Sequence, residues 1–127
     1  MIHTVGQIML YVNDQEASLR FWTEKAGFSL ISKEDNGQGF RWFEIAPAKD
    51  SETSIVLHDK ETIAKMSRGV NLLTPSIMFF TDNIDELYKD FSDKTITVGE
   101  MVNMPTGKVF NFADDEDNYF AVMEKKK

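Results

Sequence analysis

The 127-residue chain has no cysteine and only two histidines. The lack of cysteine excludes disulfides, thiolate metal sites and a cysteine nucleophile together. Two imidazoles, His3 and His58, leave little material for a histidine-rich metal centre. Long apolar runs are missing too, none approaching the roughly 18 residues that a membrane-spanning helix needs. The opening "MIHTVGQ" has neither a basic n-region nor an apolar h-region, so it does not read as a secretory signal, and cytoplasmic residence is expected. Basic residues are scarce: 14 Lys and Arg stand against 21 Asp and Glu, a net charge of −7. The one basic run, Lys125 to Lys127, reads as a solvated tail. Nucleic acid, which demands a basic footprint, is disfavoured as a partner, and no membrane partner is expected. A cationic small molecule is compatible with the charge. What is present is of ordinary globular composition, 42% hydrophobic and 28% charged, in a chain long enough for a core.

The stretch "QIMLYVND" (7–14) recurs as "SIMFFTDN" (76–83), an offset of 69 residues. Internal repetition dictates architecture. It sets Asp14 over Asn83, both good helix N-caps. After Asp14, Leu19, Trp22 and Ala26 recur at helical spacing up to Gly27, a C-cap residue. After Asn83, Ile84, Leu87, Tyr88 and Phe91 do the same, with Glu86 placed for a capping box. The same offset brings Phe91 over Trp22. Strand patterns follow at 28–34, 39–47 and 53–59 in the first copy and at 95–103, 107–115 and 118–124 in the second. Each half is therefore β-α-β-β-β. The expected class is α+β: one domain over 1–127, with module one at about 1–59, a linker at about 60–75 and module two at about 76–124. A short helical piece is expected at Ile63 to Met66. The two sheets are expected to curve into a half-barrel with the helices on its outer face.

Strand alternation sorts the faces. Ile8, Leu10 and Val12 suit packing on a helix, while Gln7, Met9 and Tyr11 face the other way. In the second copy Ile77, Phe79 and Thr81 oppose Ser76, Met78 and Phe80. The mixed faces suit a ligand-facing concavity. Phe40, Trp42, Glu44, Val56, Tyr119 and Met123 are expected to join them, as is one of Phe110 and Phe112, the other pointing away. Aromatic and methionine side chains offer adaptable apolar area to a planar guest. Gln7, Ser76, Glu44 and the tyrosine hydroxyls would orient it. In the plainer reading these rings fill the concavity as core, and the protein is a partner-binding module without a ligand.

The repeated module, "VND" followed by "FW…KAGF" in the first half and "FADDEDNYFAVME" at the end, resembles the vicinal oxygen chelate superfamily. That superfamily includes glyoxalase I, extradiol dioxygenases, fosfomycin resistance enzymes and bleomycin resistance proteins. The likeness covers nearly the whole chain, though Asp115 and Asp117 stand where the family's usual turn has proline and glycine. The resemblance implies a metal held by His or Glu at four strand positions, acting as a Lewis acid on two substrate oxygens. The matching positions here are Gln7, Ser76, Ala121 and Val56 (Ile55 if the register slips by one). One amide, one hydroxyl and two hydrocarbons do not make a divalent metal site. No metal and no cofactor are therefore expected.

Other residues are candidates for chemistry. His58 shares a strand face with Val56 and borders the expected cavity, whereas His3 reads as a surface residue. Glu44 either projects inward, to pair with a cationic ligand or to act as a base, or is an exposed strand residue. The acidic turn Asp114 to Asp117 lacks calcium-loop spacing and reads as solvated. The resemblance thus implies a metal-free homodimer that binds or sequesters an apolar or aromatic small molecule, its linker long enough for modules to swap between chains. The alternative is an enzyme, a glyoxalase-like lyase or isomerase or a dioxygenase, with a displaced metal site involving His58, Glu44 or Gln7.

Overall fold

A computed structural model describes residues 1–67 and 69–126. Arg68, in the expected linker, and Lys127, in the expected tail, lie outside the described residues. The chain divides into two compact units, Met1–Thr74 and Pro75–Lys127.

The first unit runs β1 (Gln7–Val12), α1 (Gln15–Arg20), a π-helical turn (Phe21–Lys25), β2 (Ser29–Asp35), β3 (Arg41–Ala46), β4 (Ser54–Asp59) and α2 (Lys60–Met66). Its sheet has the order β1-β4-β3-β2, with β1 and β4 parallel and the other pairs antiparallel. Asp14 caps α1, its carboxylate accepting from the Ala17 amide at 3.0 Å. The helix then widens into the π turn, where the Thr23 hydroxyl takes up the Leu19 carbonyl at 2.7 Å. A side chain competing for a backbone acceptor in this way commonly distorts a helix. Gly27, at φ +82, ends it.

Leu10, Val12, Ile45, Leu57 and Trp22 are excluded from solvent, and α1 lies against β4. At about 25 cal/mol per Å² of apolar surface, their burial supplies most of what holds this layer together. Gln15 pins the helix start to the sheet. Its Nε2 donates to the carbonyls of Arg41 and Leu57 at 3.0 and 3.1 Å. The helical piece of the linker starts earlier than the Ile63 the sequence suggests. It follows β4 directly, because Asp59 accepts from both the amide and the hydroxyl of Thr62.

The second unit runs β5 (Met78–Thr81), α3 (Ile84–Asp93), β6 (Val102–Met104), β7 (Gly107–Ala113) and β8 (Tyr119–Glu124), with sheet order β5-β8-β7-β6. Asn83 and Glu86 cap α3 together. Asn83 Oδ1 accepts from the Glu86 amide at 3.2 Å, and Nδ2 donates to Glu86 Oε2 at 3.0 Å. The Ile84 amide donates to Glu124 Oε2 at 3.0 Å, which ties the helix start to β8.

Two expectations are corrected in this unit. The strand predicted at 95–103 is reduced to β6 at 102–104 and an isolated bridge between Val98 and Phe112, since the chain leaves α3 through Thr95 at φ +61. Neither Phe110 nor Phe112 points away from the helix. Being two apart they share a face, each is 1% exposed, and both rings pack edge-on against Phe91 of α3. The architecture is α+β, two tandem β-α-β-β-β modules, each a four-stranded mixed sheet with a helix on one face.

Candidate functional site

On the first unit's sheet, the face opposite α1 carries two adjoining environments. Register brings Gln7, Met9 and Tyr11 of β1 beside Ser54, Val56 and His58 of β4. Glu44 and Trp42 of β3 lie opposite Val56 and His58 on the same face, and Ser32 of β2 lies opposite Glu44.

One environment is polar and centred on Glu44. Its Oε2 accepts from the Ser54 hydroxyl at 2.6 Å and from Gln7 Nε2 at 3.4 Å, and its Oε1 accepts from the Ser32 hydroxyl at 3.2 Å. The Ser54 bond above all holds the carboxyl below its ordinary range. Partial burial opposes this, and the bonds from Gln7 and Ser32 reinforce it. Glu44 is therefore a carboxylate at neutral pH and a weak base, better suited to pairing with charge than to taking a proton. A cavity of about 500 Å³ opens here, lined by Gln7, Ile31, Glu44, Lys49, Glu52 and Ser54 among others. That size falls within the range of small-molecule sites.

The other environment is aromatic. The His58 imidazole stacks on Tyr11, with centroids 5.8 Å apart, and on Phe40 at 5.9 Å; Phe40 in turn packs on Trp42 at 5.2 Å. His58 Nε2 lies 3.2 Å from Met9 Sδ, and its Nδ1 is buried with no hydrogen-bond partner among the described residues. Burial pushes the imidazole pKa below its usual value, so the ring is neutral at pH 7. Val56 belongs to this face but is 2% exposed, which leaves a guest little of it to touch.

In the second unit, Ser76, Met78, Phe80, Tyr119 and Met123 lie away from the buried Phe110–Phe112 face, and all but Met123 are exposed. Phe80 is 60% exposed, and Lys125 Nζ stands 4.9 Å over its ring. A cavity of about 680 Å³ borders Met78, Phe80 and Met123.

His3 is exposed, as the sequence suggests. The acidic turn is not uniformly solvated. Asp114 is 5% exposed, and its Oδ1 accepts from the amides of Glu116 and Asn118 at 2.9 Å each. That carboxylate organises the turn, an inward role that alternating charge in the sequence conceals. Sequence reasoning also missed Ser32 and Ser54, the hydroxyls that fix Glu44. In the β1–β4 ladder Ser54 pairs directly with Gln7, and Val56 pairs with Met9.

The model of the Glyoxalase/Bleomycin resistance protein/Dioxygenase superfamily matches residues 4–122, and the chain belongs to that superfamily. Among curated proteins it is similar to YetH of Bacillus subtilis (strain 168), 32% identical over 125 residues, covering 98% of this chain and all of the relative. Among solved structures it is similar to TnmS3, an antibiotic binding protein from Streptomyces sp. CB03234, with 28% identity, a TM-score of 0.81 and 98% of each chain covered. It is also similar to UcmS2, with 25% identity, a TM-score of 0.79, and 97% and 98% covered.

The metal that the resemblance implies can be tested on the donor set. The polar set on this face is the Gln7 amide, the Glu44 carboxylate and the hydroxyls of Ser54 and Ser32. Among the described residues no three His, Asp or Glu side chains gather as ligands. This set does not fit a divalent transition metal, which wants imidazole or several carboxylates.

Proposed function

We propose that this chain is a non-catalytic binding protein, its two units acting as one domain, that holds a small aromatic molecule without a metal. The observation that carries the reading is the first unit's sheet face, where an aromatic wall of Tyr11, Phe40, Trp42 and His58 adjoins the fixed carboxylate of Glu44. Planar rings are bound by such walls through area and stacking, with a few polar groups setting orientation. A weakly basic Glu44, and no ligand trio among the described residues, favour binding over lyase, isomerase or dioxygenase chemistry. Similarity to an antibiotic binding protein along almost the full chain supports the same reading. On the second unit's own face, Met78, Phe80, Tyr119 and Met123 offer apolar area to a guest or to a partner copy. So much exposed apolar side chain supports a homodimer, which light scattering tests. Cytoplasmic residence belongs to the same proposal, and cell fractionation tests it.

The deciding experiment is metal content of protein purified without an affinity tag, followed by thermal shift. Substoichiometric metal, no shift with Ni²⁺, Zn²⁺, Mn²⁺ or Fe²⁺, and a rise in Tm with planar aromatic antibiotics are expected, since a ligand that binds only the folded state raises its stability. Near-stoichiometric metal with a matching shift would overturn the proposal in favour of the enzyme.

A further inference from the structure

Glu44 is oriented by its neighbours but not neutralised by them. Its three donors, Ser54, Gln7 and Ser32, are uncharged. Among the described residues no Lys, Arg or His nitrogen lies within 4 Å of it as an ion-pair partner. A carboxylate offers about four lone-pair positions. Two bonds fall on Oε2 and one on Oε1, so Oε1 keeps an acceptor position open. The cavity beside it carries one cation, Lys49, whose charge is offset by Glu52 in the same lining. Burial lowers the neighbouring imidazole's pKa, which favours the uncharged ring beside a cation. Trp42 lies two residues from Glu44 on β3, roughly 7 Å along a strand. Its indole and the Phe40 ring offer faces to a planar group and attract positive charge.

We propose that this face selects ligands carrying an N–H-bearing cation, an ammonium or amidinium, attached through a short link to a planar ring. The ring lies on Trp42 and Phe40 and the cation donates to Glu44 Oε1. The proposal rests on the small-molecule reading above and sharpens it by naming the recognised group. Glu44 thereby becomes the residue that sets specificity, and Ser54, Gln7 and Ser32 the groups that hold it in position.

The test uses matched probes: 2-naphthylmethylamine, 2-naphthylmethanol and the trimethylammonium analogue of the amine. Affinities are measured by calorimetry at pH 7 on the wild type, Glu44→Gln and Trp42→Leu, with circular dichroism confirming that the variants fold. The amine is expected to bind the wild type about tenfold or more tighter than the alcohol, as charge-assisted bonds outweigh neutral ones. The trimethyl cation, which has no N–H, should fall between them. Glu44→Gln should collapse the amine's advantage over the alcohol, whereas Trp42→Leu should weaken all three. Equal binding of amine and alcohol to the wild type would overturn cation selection while leaving the aromatic site standing. That comparison needs no variant. Failure of all three to bind at millimolar concentration would overturn the binding-site reading, and this inference with it.

Discussion

Ser54→Ala removes one hydroxyl from the Glu44 network and little else. Ser54 is 6% exposed, so the alanine methyl stays buried where the serine methylene was, and the backbone bond from the Ser54 amide to the Gly6 carbonyl at 3.0 Å is unaffected. The lost side-chain bond is 2.6 Å long and ends on an ionised carboxylate. Hydrogen bonds to charged groups contribute about 1.5–3 kcal/mol. Glu44 is only half-buried, and water can replace the missing donor, so the loss is discounted to about 1 kcal/mol. The pH dependence is the sharper signature. Glu44 has a folded-state pKa below its ordinary value, so the bonds to its ionised form contribute fully above about pH 4.5 and are lost as pH falls through the folded value. Urea unfolding of wild type and Ser54→Ala should therefore differ at pH 7 and converge on acidification. The double variant with Glu44→Gln should show the two changes coupled at neutral pH. A gap that persists unchanged to pH 3, or no gap at pH 7, would refute the picture of Glu44 as an anion held by Ser54.

Two further outcomes follow from buried polar groups. His58 prefers its neutral form when folded, so the unfolded chain binds its proton first, and stability falls as pH drops below about 6.5; His58→Gln should flatten the slope of Tm between pH 7 and 5, and identical slopes would contradict it. Asp114→Ala should cost about 1–3 kcal/mol in chemical denaturation, because it leaves the Glu116 and Asn118 amides without their acceptor. Asp117→Gly, at φ +62 in the same turn, should change stability by no more than about 0.5 kcal/mol.

The module repeat was legible because the strongest sequence signals are local. An N-cap and a run at helical spacing describe α1 and α3 with no knowledge of what packs on them, and Asp14 and Asn83 do cap where the repeat placed them. Legibility fell where a local pattern met a tertiary constraint. The segment 95–101 has strand-like composition, but the left-handed Thr95 that closes α3 leaves it only the Val98 bridge to β7. Phe110 and Phe112 illustrate the opposite case. One of the two is expected to point away, yet residues two apart on a strand share a face, and α3 decides which face that is.

The candidate site was legible to the level of a face and no further. Alternation groups Gln7, Met9 and Tyr11, and separately Trp42 and Glu44, but it cannot show which strands become neighbours or in what register. Parallel pairing of β1 with β4 puts Ser54 beside Gln7, a relation that spans 47 residues and has no local signature. Ser32 is more instructive. Leu30 pairs with Ile45, so an unbroken antiparallel ladder would set Ile31 against Glu44 and bury the carboxylate's flank in hydrocarbon. The register shifts by one residue between Leu30 and Ser32, and the hydroxyl arrives there instead. Such a bulge re-aims every side chain beyond it. Since Ile31 itself borders the Glu44 cavity, the irregularity both supplies a donor to the carboxylate and shapes the space in front of it. A regular β2 would present Glu44 with one bond fewer and an apolar neighbour, conditions that raise a carboxyl's pKa and weaken its hold on a cation. The extra residue in β2 is therefore a determinant of the site's charge, although no side chain in the chain is changed by it.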